Sequence, residues 1–202
     1  VAMVMDGLDG RVARMTNTQS DFGAEYDSLS DMVSFGVAPA LVMYVWALKS
    51  MGKLGWIAAF IYCVSAALRL ARFNTNVGSA DKRYFQGLPS PAAATLLAGL
   101  VWVCFDNDLP GDLVFYPWLK MKWIAWTITL FAGISMVSDL RFYSGKNINL
   151  KNSVPFVVIL LIVLAFVLVS YSPPEVLFFV ALIYGLSGYV MWIMQRLKKK
   201  AV

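Results

Sequence analysis

Six apolar stretches, at about 22–46, 54–73, 88–105, 121–137, 154–170 and 176–192, each run close to the length that crosses a bilayer. Nothing else in the chain constrains its fold so tightly. A hydrocarbon core of about 30 Å takes roughly 20 helical residues, and only helices or a closed barrel satisfy the backbone inside it. A barrel would alternate apolar and polar residues in short strands, which these continuous runs do not do. Hydrophobic residues make up 59% of the 202 positions and charged residues only 14%, against roughly 45–50% and roughly 25% in soluble domains. The expected architecture is therefore an all-α polytopic membrane protein, with residues 1–202 forming one membrane-embedded helical bundle. Ahead of the first run stands the apolar stub Val1-Ala-Met-Val-Met5, too short to span. We read it as the end of a truncated N-terminal helix, so the N-terminal part of the full-length protein is expected to be missing.

The few charges set the orientation. Of the 17 basic residues, Arg11, Arg14, Arg69, Arg72, Lys82, Arg83, Arg141, Lys146, Lys151, Arg196 and Lys198 to Lys200 fall on one side of the predicted spans. Only Lys49, Lys53, Lys120 and Lys122 fall on the other, together with Asp106, Asp108, Asp112 and Glu175. The positive-inside rule makes the first side, and the C-terminus with it, cytoplasmic. Trp46, Trp56, Trp102, Trp118 and Trp123 lie near span ends on the opposite side, either as an interfacial belt or as packing. The basic residues cap membrane segments and form no patch interleaved with aromatics, so no nucleic-acid partner is expected.

The chain has no histidine, which excludes Ser-His-Asp triads, histidine bases and His-rich zinc sites. Cys63 and Cys104 each sit in an apolar run and read as small buried hydrophobes. Any catalytic base must come from a carboxylate, Lys, Tyr or Cys.

Six of the twelve acidic residues, Asp6, Asp9, Asp21, Glu25, Asp27 and Asp31, crowd into the first 31 positions. Asp6 and Asp9 at i, i+3, and Asp27 and Asp31 at i, i+4, would each share a helix face. The short polar link Met15-Thr-Asn-Thr-Gln-Ser20 can fold the two helices back on each other, bringing four carboxylates to one cytoplasmic mouth. Such a set repels itself unless cations neutralise it, and hard oxygen donors suit Mg²⁺ or Mn²⁺, with Ca²⁺ an alternative occupant. Two ions there would form an arrangement used in phosphoryl transfer. Solvated carboxylates, pairing with Arg11 and Arg14, or the cation path of a transporter or channel remain alternatives on spacing alone.

The residues between the acids read Asp6-x2-Asp9-Gly10-x2-Ala13-Arg14-x8-Gly23-x3-Asp27-x3-Asp31. This string resembles the signature of the CDP-alcohol phosphotransferase family at every specified position. Around it, the segments Ser30-Asp-Met-Val-Ser-Phe-Gly-Val-Ala-Pro-Ala40, Arg69-Leu-Ala-Arg-Phe-Asn74 and Gly87-Leu-Pro-Ser-Pro-Ala-Ala93 are similar to the phosphatidylserine-forming branch. The resemblance covers roughly the first half of the chain, and the later spans match only in hydrophobicity.

The resemblance implies a metal-dependent phosphatidyltransferase acting on CDP-diacylglycerol and L-serine, releasing CMP, in contact with membrane lipids and as a homodimer. It implies that Asp6, Asp9, Asp27 and Asp31 hold the metals and that Asp31 is the general base. Gly10, Ala13 and Gly23 would let the CDP-lipid lie against the backbone, and Arg14 would meet its phosphate. Ser20 would bond the nucleotide phosphate or only cap the following helix. Arg69, Arg72 and Asn74 are the acceptor-binding candidates, the arginines meeting serine's carboxylate, meeting an acceptor phosphate, or snorkelling to the interface. Sister enzymes that use glycerol phosphate, inositol or its phosphate, ethanolamine or choline share the Asp frame and are the alternatives for the acceptor.

Overall fold

The computed structural model of the protein describes residues 20–75, 84–111, 113–116, 119–143 and 156–200. The described part of every predicted apolar run is helical, apart from Leu88 and Pro89 at the start of the third. Helix α1 (Asp21–Asp31) passes into a π-helical segment (Met32–Val37) and then α2 (Ala38–Trp46) without a break. A 3₁₀ turn (Leu48–Met51) leads to α3 (Lys53–Thr75). Then come α4 (Ser90–Asp106), α5 (Met121–Val137), α6 (Phe156–Tyr171) and α7 (Pro173–Lys200). Among the described residues, three segments are long and apolar enough to cross a membrane: Glu25–Trp46, Lys53–Thr75 and Pro173–Leu197. Helices α4 and α5, at 17 residues each, are only about 26 Å long. The fold is that of an integral membrane protein whose apolar side chains face outward. Phe22, Val45, Phe60, Phe105, Phe166 and Ile183 are all more than half exposed, a distribution that suits lipid rather than water.

Polar contacts fix the helix directions. The C-terminal part of α3 meets the start of α4 through Arg69 and Ser90, and meets the residue after Ser138 at the end of α5 through Arg72 and Asp139. At the other end, Trp126 of α5 donates to the Leu54 carbonyl of α3, and Asn107 after α4 donates to Glu175 of α7. Thus α3 and α5 run parallel, while α4 runs against both α3 and α7.

The core sits between these four helices and is built from small residues that let backbones approach. A Cβ at Gly133 of α5 would stand 3.2 Å from Cα of Tyr62 on α3, and one at Gly99 of α4 would stand 3.3 Å from Cα of Phe178 on α7. Between them Ala58, Ala66, Ala125, Ala132, Leu96, Leu97 and Met136 are buried. In lipid no hydrophobic force separates helix from solvent, so close van der Waals contact of this kind carries the association. Cys104 is buried, Cys63 half-buried, and both are free thiols. Trp56, Trp102 and Trp123 are exposed toward the far end, while Trp118 lies outside the described side chains.

Two short antiparallel ribbons depart from the all-helical expectation. Strand β1 (Tyr84–Gln86) pairs with β4 (Arg141–Tyr143), and β2 (Val114–Tyr116) with β3 (Leu119–Lys120). The first ribbon closes the Arg69 end of the bundle and the second closes the other. Phe142 of β4, in the first ribbon, is fully buried against Gly188 of α7, where a side chain would strike the ring. Gly87, at φ +75°, turns the chain from β1 into α4 with the Met136 carbonyl where a Cβ would stand, a position open only to glycine.

Candidate active site

Ser20 caps α1, its Oγ accepting the Gly23 N–H at 3.0 Å, so of the two roles open to it the helix cap is the one observed. Gly23 lies against that cap, its missing Cβ 3.2 Å from Ser20 Oγ. Asp27 and Asp31 follow on one face, separated by a single turn of α1. Asp27 is exposed and Asp31 half-buried.

Immediately after Asp31 the helix widens into its π segment, which has a local cause. Pro39 cannot donate an N–H to the Phe35 carbonyl four residues back, and Ala38 instead donates to Val33, five residues back. The released Phe35 carbonyl accepts from the buried Tyr62 hydroxyl at 2.9 Å. One extra residue in the turn re-aims the two halves of the helix, a device frequent at functional sites. Here it lets the Asp27–Asp31 face and the packing face of α2 be set independently.

The end of α3 supplies the opposing cations. Arg69 donates from Nη1 to Ser90 Oγ at 3.0 Å, and Ser90 is 2% exposed. The Asp31 carboxylate and the Tyr184 hydroxyl both lie near enough to act on this guanidinium electrostatically. Its Nε is buried and has no hydrogen-bond partner among the described residues. An orphaned buried guanidinium N–H is costly and calls for an acceptor. One turn on, Arg72 pairs with Asp139 at 3.2 Å, and Gln86 of β1 donates to the same Asp139 oxygen at 2.9 Å. Asn74 reaches back to Ser28, the neighbour of Asp27, at 3.1 Å. All three predicted acceptor residues therefore stand at the end of the bundle that carries Asp27 and Asp31.

Asp6, Asp9, Gly10, Ala13 and Arg14 lie outside the described residues. Among those described, no three acidic, thiol or imidazole side chains gather at one point. Asp27 and Asp31, with exclusively oxygen donors on one face, have the chemistry for a share in a Mg²⁺ or Mn²⁺ site. A depression at the far end, lined by Val45, Trp46, Ala47, Lys49, Ser50 and Gly111, has neither carboxylate nor paired cation and lies away from this cluster.

A sequence model of the family described as CDP-alcohol phosphatidyltransferase matches residues 1–137. The chain belongs to this family. The CDP-alcohol phosphatidyltransferase segment thus runs from before the motif to the end of α5. A CDP-diacylglycerol–serine O-phosphatidyltransferase from Helicobacter pylori strain J99 is 37% identical over 200 residues, covering 98% of this chain and 78% of the relative. One of the same name from Methanocaldococcus jannaschii is 35% identical over 193 residues, 96% and 81% of the two chains. Another, from Saccharomyces cerevisiae, is 40% identical over 119 residues, 53% and 42% of the two chains. This phosphatidyltransferase also has site-end residues that sequence reasoning passed over: Ser28, Asp139 and Tyr184. Asp139 carried a signal, being an acidic residue on the predicted cytoplasmic side outside the motif. The other two had none, since a lone Ser or Tyr in an apolar run reads as packing.

Proposed function

We propose that the chain transfers the phosphatidyl group of CDP-diacylglycerol to the hydroxyl of L-serine, forming phosphatidylserine and CMP. The observation that carries this reading is that the half-buried Asp31 stands near enough to Arg69 to act on it electrostatically, while the buried Nε–H of Arg69 has no partner among the described residues. It joins a base for a hydroxyl to a seat for a carboxylate, and serine carries both groups. Relatives named for this reaction align over nearly the whole chain, which supports the same acceptor. The excess of basic residues on the site side supports a cytoplasmic active site and C-terminus. A homodimer goes with the family and is tested by crosslinking in native membranes.

In this reading Asp6, Asp9, Asp27 and Asp31 hold divalent metal, Mg²⁺ or Mn²⁺. When bound, it supplies neutralisation of the diphosphate and of the charge developing on CMP. Gly10, Ala13 and Gly23 give the nucleotide room, and Arg14 holds its phosphate. Arg69 fixes the serine carboxylate so that the hydroxyl faces Asp31. Serine's hydroxyl is a poor nucleophile until a carboxylate takes its proton. As Asp31 does so, the serine oxygen bonds to the phosphorus bearing the diacylglycerol and the bond to CMP breaks. The motif contains no Cys, His or Lys, which favours direct attack over a covalent enzyme intermediate. The test is CMP release by purified protein from CDP-diacylglycerol with Mg²⁺ or Mn²⁺ and a panel of acceptors. We expect metal-dependent release with serine. No release with any acceptor overturns the enzyme reading, and release with glycerol phosphate but not serine overturns the acceptor.

A further inference from the structure

We propose that Asp139 and Arg72 form a charge pair that reads the zwitterion of the acceptor, Arg72 joining Arg69 on the carboxylate and Asp139 taking the ammonium. The proposal rests on the serine reading above. Serine differs from the family's other acceptors in carrying an ammonium and a carboxylate on one carbon. A pocket that prefers it needs one charge of each sign within a few ångströms, beside the seat of the hydroxyl.

The Arg72–Asp139 pair supplies one charge of each sign at the end of the bundle that carries Asp31. Its two charges are 3.2 Å apart, one turn along α3 from Arg69. The pair lies at the same end as Asn74, which is tied to Ser28 beside Asp27. Both donors to Asp139, Arg72 Nη1 and Gln86 Nε2, fall on Oδ1. Among the described residues Oδ2 takes no donor, and Arg72 uses only one of its several N–H groups. Both members therefore keep valence for a ligand while holding each other in place.

The backbone that presents Asp139 is fixed on both sides. Ser138 caps α5 with its N–H on the Ile134 carbonyl and its Oγ on the Ser135 carbonyl, and Leu140 accepts the Gly87 N–H at 2.9 Å. The side chain itself is 80% exposed. An ion pair so open to water adds little to stability, which leaves recognition as the work it is suited to do. The Asp139 carboxylate repels dianionic acceptors such as glycerol phosphate, so it selects by exclusion as well as by attraction.

Serine analogues separate the two charges: ethanolamine keeps the ammonium and lacks the carboxylate, while glycerate keeps the carboxylate and has a hydroxyl in place of the ammonium. Each is measured as an inhibitor of serine-dependent CMP release in wild type, Asp139→Asn and Asp139→Glu. We expect Asp139→Asn to raise the serine KM about tenfold or more, with a smaller change in kcat and an unchanged KM for CDP-diacylglycerol. The preference for serine over glycerate should collapse by a similar factor, while the preference for serine over ethanolamine persists. Asp139→Glu should restore part of the serine affinity. Arg72→Gln, which leaves Arg69 on the carboxylate, should narrow the preference for serine over ethanolamine and spare that for serine over glycerate. An unchanged serine-to-glycerate ratio in Asp139→Asn overturns the proposal. So does a joint rise of both substrates' KM with a lowered melting temperature, which marks a structural role. Absence of serine-dependent release in wild type overturns the serine reading itself, and normal wild-type turnover with unchanged ratios overturns only this proposal.

Discussion

At the charged end of the bundle the helices are joined side chain to side chain, Asn74 to Ser28, Arg69 to Ser90, and Arg72 and Gln86 to Asp139. At the far end backbone does most of the joining: Gly111 lies under the Trp46 carbonyl, Gly55 under that of Leu48, and Trp126 donates to the Leu54 carbonyl. Among the described residues a single hydrogen bond between two side chains, Asn107 to Glu175 at 3.4 Å, spans the helices there. Both ends carry a two-stranded ribbon, so the difference is not one of architecture. Polar side chains at a water-facing mouth can exchange partners with a substrate at little cost, whereas backbone wedged against backbone cannot move without unpacking. The far end is thus built as scaffold, and the charged end is the one we propose as the ligand site.

That contrast can be broken by substitutions whose effects should fall on opposite quantities. The largest effect belongs to the charged end: Asp31→Asn should lower kcat by about 10²–10⁴ while leaving thermal stability nearly unchanged, read by CMP release alongside a melting curve. A variant that kept most of its activity would move the base elsewhere. At the far end, Gly111→Val should cost about 1–3 kcal/mol of stability by overpacking against Trp46, seen as a lower melting temperature with the KM for serine unmoved. Tyr62→Phe stands between the two ends. It removes the donor from the buried Phe35 carbonyl, an expected loss of about 1–3 kcal/mol, and loosens the turn that aims Asp31, so kcat should fall along with stability. If only stability falls, the π segment is structural and has no bearing on the site. The smallest effect is expected for Ser20→Ala, about 1 kcal/mol as a lost N-cap with the KM for CDP-diacylglycerol unchanged. A rise in that KM would return Ser20 to the nucleotide.

Much of this division was legible in the sequence. Each run of apolar residues falls on a described helix, because length and hydropathy alone decide what can sit in lipid. The spacing of Asp27 and Asp31 gave their shared face, and the i, i+3 spacing of Arg69 and Arg72 placed both guanidiniums at the same end. What stayed hidden depended on distant partners. Pro39 announces a disturbed helix, but the Tyr62 hydroxyl that stabilises the widened turn comes from 27 residues away. The ribbon of β1 and β4 pairs segments too short and too far apart to show a strand pattern. Asp139 stands alone in sequence and acquires meaning only when Arg72, 67 positions earlier, is brought beside it.

In the reaction we propose, the charged end transfers the phosphatidyl group to serine and Asp31 takes the hydroxyl proton. It is tested most directly by following lipid product. Wild-type and Asp31→Asn proteins are incubated with CDP-diacylglycerol, isotopically labelled L-serine and Mn²⁺, with labelled phosphatidylserine and CMP quantified together by mass spectrometry. The account predicts one labelled lipid per CMP in wild type, and formation at least about a hundredfold slower in Asp31→Asn at equal folded protein. Labelled lipid at a near-wild-type rate from Asp31→Asn, or CMP released by wild type without labelled lipid, would contradict it.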